Sequence, residues 1–242
     1  METSRWRALG LGLSGLGLVA AVEAAAVRRV RRGGDPGGRD HAVTVGEGIG
    51  EPLALVLLGD SAVDGHGLDG SGALPRQLAA RVARATGRRV RVRSVAVSGA
   101  TTSDVAAFQL PLLRAAGHVD AVLVGVGVND VLRRTGAGAL REATHQLVLG
   151  LRAAAPDAAL ALGTCPDLSS APGLGPVLRR VVGLRCRRVA RLQRAVLDEH
   201  GVPAVASDEV PAATMFGPDG LHPGAAGVEA LADLAVGVLV ER

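Results

Sequence analysis

The chain has 242 residues, of which 48% are hydrophobic, enough for one well-buried domain with an N-terminal extension and too apolar for a disordered polymer. Aromatic residues make up 1% and Tyr is absent, so Leu, Val and Ala must fill the core. Lys is also absent and all 27 basic residues are Arg, which excludes a P-loop lysine, a Schiff-base lysine and a Ser-x-x-Lys pair.

The formal net charge of +4 is spread along the chain. A long basic run, "RRVVGLRCRRVARLQR" from Arg179 to Arg194, interleaves Arg with apolar residues at helical spacing and reads as a solvated helix face. No aromatic side chains accompany the Arg residues to stack bases, so nucleic acid is not an expected partner.

Residues 1–32 read as a hydrophobic anchor or signal-like segment with an Arg-rich flank. The stretch "ALGLGLSGLGLVAAVEAAAV", Ala8 to Val27, is about long enough to cross a bilayer, but it carries Glu23 and four glycines. Arg5 and Arg7 before it and Ala24-x-Ala26 within it fit a cleaved secretory signal, whereas the following "VRRVRR" resists translocation. The expectation is membrane association through residues 8–27, with the domain membrane-associated or secreted and the side of the membrane left open. Residues 33–50, rich in Gly, Asp and Pro, read as a flexible linker, and residues 51–242 as the folded domain.

Within that domain short apolar runs alternate with longer periodic segments. The spacing predicts strands over 53–58, 89–97, 121–126, 158–163 and 202–207. It predicts helices over 74–86, 103–116, 137–154, 176–200 and 224–240. Such alternation implies right-handed crossovers and a parallel α/β sheet covered on both faces, here five strands in the flavodoxin-like order 2-1-3-4-5. Ligands of such sheets gather at the carboxyl ends of the strands.

Those ends carry a short list of reactive residues. The first strand runs into Gly59, Asp60 and Ser61; the second into "SGATTSD" with Gly99; the third into "GVND" with Asn129 and Asp130. "DGLHP", Asp219 to Pro223, follows the fifth. In the expected order, Gly99 and Asn129 flank Ser61.

A serine hydroxyl becomes nucleophilic when a base takes its proton, and the oxyanion formed on attack needs donors already in place. Gly99 can present a backbone N–H, Asn129 an amide, and Ser61 its own N–H; one such donor is worth on the order of 3 kcal/mol in the barrier. His222 is the candidate base, with Asp219 three residues earlier to hold its other nitrogen. Asp60 is expected to orient the turn and Asp130 to steady the Asn129 loop.

These four segments, Gly-Asp-Ser, Ser-Gly-x-Thr-Thr, Gly-x-Asn-Asp and Asp-x-x-His-Pro in this order, resemble the SGNH or GDSL family of serine hydrolases over roughly residues 53–240. The resemblance implies a three-layer α/β/α sandwich and hydrolysis of lipid, carbohydrate or small acyl esters and thioesters without a metal or other cofactor. It assigns the nucleophile to Ser61, the oxyanion donors to Ser61, Gly99 and Asn129, and the acid and base pair to Asp219 and His222. One departure is Ala62, where the family motif has Leu.

Other readings compete. His66 follows Ser61 closely and rivals His222, but Gly65 and Gly67 on either side suit a loop over the site more than a fixed imidazole. "GHGLDG", Gly65 to Gly70, matches G-x-G-x-x-G, yet it neither starts at the strand end nor feeds a helix directly, so no dinucleotide is expected. Asp60, Asp64, Asp130, Asp219 and His222 lack the ligand spacing of a metal phosphoesterase. A membrane-tethered, non-catalytic binding protein on the same fold is the alternative from another class. Cys165 and Cys186 read as small buried apolar residues.

Overall fold

The computed structural model describes residues 42–240. The segment expected to associate with a membrane, residues 8–27, lies outside the described residues, as does His41. Among the described residues no helix is long and apolar enough to cross a membrane.

Six strands form one sheet: β1 (Val43–Val45), β2 (Leu53–Gly59), β3 (Val90–Ser94), β4 (Ala121–Gly125), β5 (Ala159–Gly163) and β6 (Ala204–Val205). Their order is β1-β3-β2-β4-β5-β6, with β1 antiparallel to β3 and the other five parallel. The five parallel strands follow the expected 2-1-3-4-5 order. The sixth corrects the strand count: Val43–Val45, inside the stretch read as linker, pairs with Val90–Val92 along the sheet edge. Its flanking glycines hid a three-residue strand too short to show alternation.

Helices close both faces and make the three-layer α/β/α sandwich. They are α1 (Ser61–Asp64), α2 (Leu74–Thr86), α3 (Thr102–Asp104, then a π turn over Val105–Gln109, then Leu110–Arg114), α4 (Val128–Arg133), α5 (Ala137–Ala154), α6 (Pro176–Glu199), α7 (Ala212–Met215) and α8 (Ala225–Val240). The period-2 geometry of β2 divides the core. Leu55 and Leu57 pack with Leu78 and Val82 of α2 and Val228 and Ala232 of α8. Val56 and Leu58 pack with Val105 and Leu113 of α3 and Leu147 and Leu151 of α5. Leu55, Leu57 and Leu58 have no exposed surface, and each buried leucine of this kind contributes about 1.5–3 kcal/mol.

Two strands are shorter than expected. β3 stops at Ser94, where the Ala96 amide donates to Ser94 Oγ at 3.3 Å, although Val95 and Val97 still donate to Leu57 C=O and Gly59 C=O of β2. β6 is reduced to Ala204–Val205 on the sheet edge, where Pro203 has no amide to add to the ladder. The Arg-rich helix α6 buries Val182, Cys186, Val189, Ala190 and Val196 and leaves Arg180, Arg185, Arg187, Arg188 and Arg191 exposed, as its spacing requires.

Candidate active site

The turn after β2 is built around Gly59. Its φ is +150°, and a Cβ there would collide with the carbonyl oxygen of Gly125, so only glycine lets β2 pass this close to β4. Asp60 follows as the N-cap of α1, its Oδ1 accepting from the Ala62 amide at 3.1 Å. Ser61 is thereby the first residue of a four-residue helix at the carboxyl edge of the sheet.

Ser61 Oγ lies 3.0 Å from His222 Nε2, and His222 Nδ1 lies 2.6 Å from Asp219 Oδ2. Asp219 also accepts with Oδ1 from the amides of Leu221 and His222, at 2.9 and 3.0 Å. The carboxylate therefore fixes both the ring and the loop that carries it. Partial burial works to raise the Asp219 pKa, but the His222 ring and the two amides outweigh it, and the group is held below its ordinary value.

The loop itself is closed by backbone bonds: Gly217 N–H to His222 C=O at 2.8 Å, Gly224 N–H to Met215 C=O at 2.9 Å, and Gly173 N–H to Gly220 C=O at 2.9 Å. The imidazole thus sits on an anchored turn just before α8.

Asn129 is buried in the first turn of α4, its Nδ2 donating to Ala100 C=O at 3.0 Å and to Asp60 Oδ2 at 3.2 Å. Gly99, at φ +87°, lies in the turn next to Ala100, where Arg133 donates to its carbonyl at 3.0 Å. That turn is pinned to α1 through Ser98 Oγ, which donates to Asp64 Oδ2 at 3.3 Å. Asp130 Oδ2 accepts from the amide and hydroxyl of Thr102, at 3.0 and 2.9 Å, tying α4 to the start of α3. Thr101 and Asp104 form a capping box there, which accounts for the rest of "SGATTSD".

A cavity of about 110 Å³ adjoins Ser61 and His222. Its walls are mostly apolar and include Val126, Leu168, Leu174, Phe216, Leu221 and Leu231. Ala62 also lines it, so the departure from Leu lies on the cavity wall.

Two supporting residues escape sequence reasoning. Gln109, 2% exposed, accepts from the Gly59 amide with Oε1 at 2.8 Å and donates Nε2 to the Gly59 carbonyl at 2.9 Å. Its Oε1 takes the place of a strand carbonyl at the Gly59 amide, while the Val97 amide still donates to the Gly59 carbonyl at 3.1 Å. The π turn ending at Gln109, with Pro111 two residues on, sets this register. Gln193 of α6 does the same for β4 and β5, donating to Val126 C=O at 2.9 Å and accepting from the Cys165 amide at 2.8 Å. In both cases the signal is a lone glutamine on an apolar stripe.

His66, weighed above as the rival base, has its ring centroid 4.2 Å from that of His222. The loop does hold it over the site, but it is His222 that meets Ser61. His145 and His200 pair with each other at 2.9 Å, away from the sheet edge. His118 lies 3.3 Å from Asp120 on the surface. Cys165 and Cys186 are free and buried; hydrogen bonding to Cys186 and burial push the Cys165 thiol up.

Known proteins resemble the chain in sequence and in fold. The chain is 30% identical over 188 residues to a GDSL-like esterase of Mycobacterium tuberculosis, a match covering 74% of this chain and 59% of that protein. The chain therefore spans about three fifths of that relative's length. Among solved structures, TesA superposes with a TM-score of 0.63 at 25% identity, over 78% of this chain and 99% of its own. An aryl esterase of M. smegmatis gives 0.64 at 18% identity, over 76% and 96%. Est24, a carbohydrate acetylesterase from Sinorhizobium meliloti, gives 0.62 at 17%, over 76% and 96%. Residues 57–230 match the GDSL-like lipase/acylhydrolase family, a family of hydrolases that act on ester bonds, and the chain belongs to it.

Proposed function

We propose that the protein is a serine hydrolase that cleaves carboxylic esters through an acyl-enzyme. The observation that carries this reading is the relay from Ser61 Oγ to His222 Nε2 at 3.0 Å and from His222 Nδ1 to Asp219 Oδ2 at 2.6 Å. His222 takes the Ser61 proton as the oxygen attacks the acyl carbon, then gives it to the leaving alcohol. Water enters by the same route and releases the acid. Asp219 holds the ring orientation and stabilises the imidazolium.

The oxyanion is received by the amides of Ser61 and Gly99 and by Asn129 Nδ2. Asn129 makes its bond by giving up the longer of its two contacts, the 3.2 Å one to Asp60. The acyl chain occupies the apolar cavity beside Ser61, which favours aliphatic over sugar or aromatic acyl groups. No step calls on a metal, so EDTA does not lower the rate.

The test is labelling with a fluorophosphonate together with hydrolysis of p-nitrophenyl esters of increasing chain length. Wild-type protein should be labelled and Ser61→Ala should not, with hydrolysis by Ser61→Ala reduced by a factor of about 10⁴ or more. Labelling that survives in Ser61→Ala, or a wild type that neither labels nor hydrolyses, would leave the binding-protein alternative in possession.

A further inference from the structure

The loop after α1 brings a second imidazole to the relay. His66 stands against His222, and one ligand atom from each of His66, Asp219 and His222 lies within 4.8 Å of the others. All three residues are partly exposed, so an ion can reach them from solvent. Two imidazoles and one carboxylate form a donor set typical of Zn²⁺, leaving a fourth position for water.

Bonds of about 2.1 Å place tetrahedral ligand atoms about 3.4 Å apart, so His222 Nδ1 and Asp219 Oδ2, 2.6 Å apart, must part by about 0.8 Å while His66 closes on them by up to about 1.4 Å. Asp219 stays held by the amides of Leu221 and His222, and its bond to the His222 ring opens to admit the ion. His66 supplies the larger movement with its side chain, its amide being bonded to Ser61 C=O at 3.0 Å. It lies between Gly65 and Gly67, both at φ +79°, on a stretch outside any helix or strand.

We infer that His66, Asp219 and His222 form an inhibitory binding site for Zn²⁺. The ion disables the relay by taking Nδ1 of His222, the nitrogen that faces Asp219. On Nδ1, it expels the proton shared with Asp219 and separates the ring from its orienting carboxylate. Mg²⁺ and Ca²⁺, which prefer oxygen donors, do not compete for a site with two imidazoles. Zinc binding stands on the cluster alone; the inhibition rests on the hydrolase reading above.

The experiment titrates ZnCl₂ into full-length wild type, Ser61→Ala and His66→Ala by calorimetry, and in parallel follows p-nitrophenyl ester hydrolysis. Wild type and Ser61→Ala should each bind one equivalent, with no response to MgCl₂, and His66→Ala should bind about tenfold more weakly or worse. Hydrolysis by wild type should fall as the site fills and return on adding EDTA. His66→Ala should hydrolyse at the wild-type rate and need about tenfold more zinc for the same inhibition, and His66→Gln should behave alike.

Absence of zinc binding to the wild type overturns the proposal. Equal binding by His66→Ala does so too, and would move the site to another pair such as His145 and His200. Zinc that binds through His66 while wild-type hydrolysis continues overturns the inhibition. A wild type that binds zinc but hydrolyses nothing refutes the hydrolase reading and leaves the metal site standing.

Discussion

Replacing Gln109 by Leu keeps the volume of the side chain and removes its two polar bonds to Gly59. The Gly59 carbonyl retains the Val97 amide at 3.1 Å, so its loss is small. The Gly59 amide loses the acceptor 2.8 Å away, in a place where Gln109 itself is 2% exposed and water has no ready access. A buried donor stripped of its partner costs about 1–3 kcal/mol. For a domain of this size a loss near 2 kcal/mol lowers the melting temperature by about 4–8 °C.

Activity should suffer separately, because Asp60 and Ser61 follow Gly59 directly and the Ser61–His222 bond depends on the turn it forms. A misplacement of about 1 Å costs about a hundredfold, so kcat should drop between about tenfold and a hundredfold with KM little changed. Thermal melts and ester kinetics on Gln109→Leu read both. Phe108→Ala, one residue away but 70% exposed, is the control and should melt within about 1–2 °C of wild type. A Gln109→Leu protein as stable and as fast as wild type would refute the claim that this amide holds the nucleophile strand.

Three further outcomes follow from the same geometry. Asn129→Ala should lower kcat by about a hundred- to a thousandfold while KM moves little, as read from full ester saturation curves; a KM effect alone would deny Asn129 the oxyanion. Gly59→Ala, which sets a Cβ against Gly125 C=O at a φ of +150°, should cost about 3 kcal/mol or more in urea unfolding or yield no soluble protein. Asp104 is held below the ordinary carboxylate range by the Thr101 amide, against partial burial, with help from the Thr101 hydroxyl and Arg133. A depressed folded pKa gives stability that is present above the unfolded value and lost as pH falls through the folded one. The melting gap between wild type and Asp104→Ala should therefore be full at neutral pH and close below about pH 4.

What the sequence made legible depended on length and period. The helices over Leu74–Thr86 and Ala137–Ala154 were expected over those same residues, because eleven or more residues of apolar periodicity bounded by Gly or Pro leave little choice. The parallel strand order followed from alternation and handedness. Ser61, His222 and Asp219 could be paired because each sits in a short motif at a strand end.

The helices Ser61–Asp64, Val128–Arg133 and Ala212–Met215 are too short to show a period, and the three-residue strand Val43–Val45 was hidden for the same reason. His66 was set aside on local grounds, its two glycines. What brings it to His222 is the return of the chain after β6, a long-range fact that no local pattern encodes.

The buried polar residues explain why the site can be rigid without aromatic packing. Asp60, Asp64, Gln109, Asn129, Asp130 and Gln193 are all 4% exposed or less, and all lie at or beside the carboxyl ends of β2, β4 and β5. Below them, in the two clusters against the sheet, the side chains are apolar. Burying six polar groups at one edge costs stability unless they are bonded, and apart from Asp130 Oδ1 the bonds run from one strand end to the next: Gln109 to Gly59, Asp64 to Ser98, Asn129 to Asp60 and Ala100, Asp130 Oδ2 to Thr102, Gln193 to Val126 and Cys165. The connections therefore couple the four chain segments that carry Ser61, Gly99, Asn129 and, through the Ser61 hydroxyl, His222. A core of Leu, Val and Ala tolerates volume-conserving substitution. The polar edge does not, since its side-chain amides bond particular partners at 2.8–3.2 Å. Positional accuracy at the nucleophile is thus supplied by this hydrogen-bonded rim, while the leucine core beneath supplies the stability that the rim consumes.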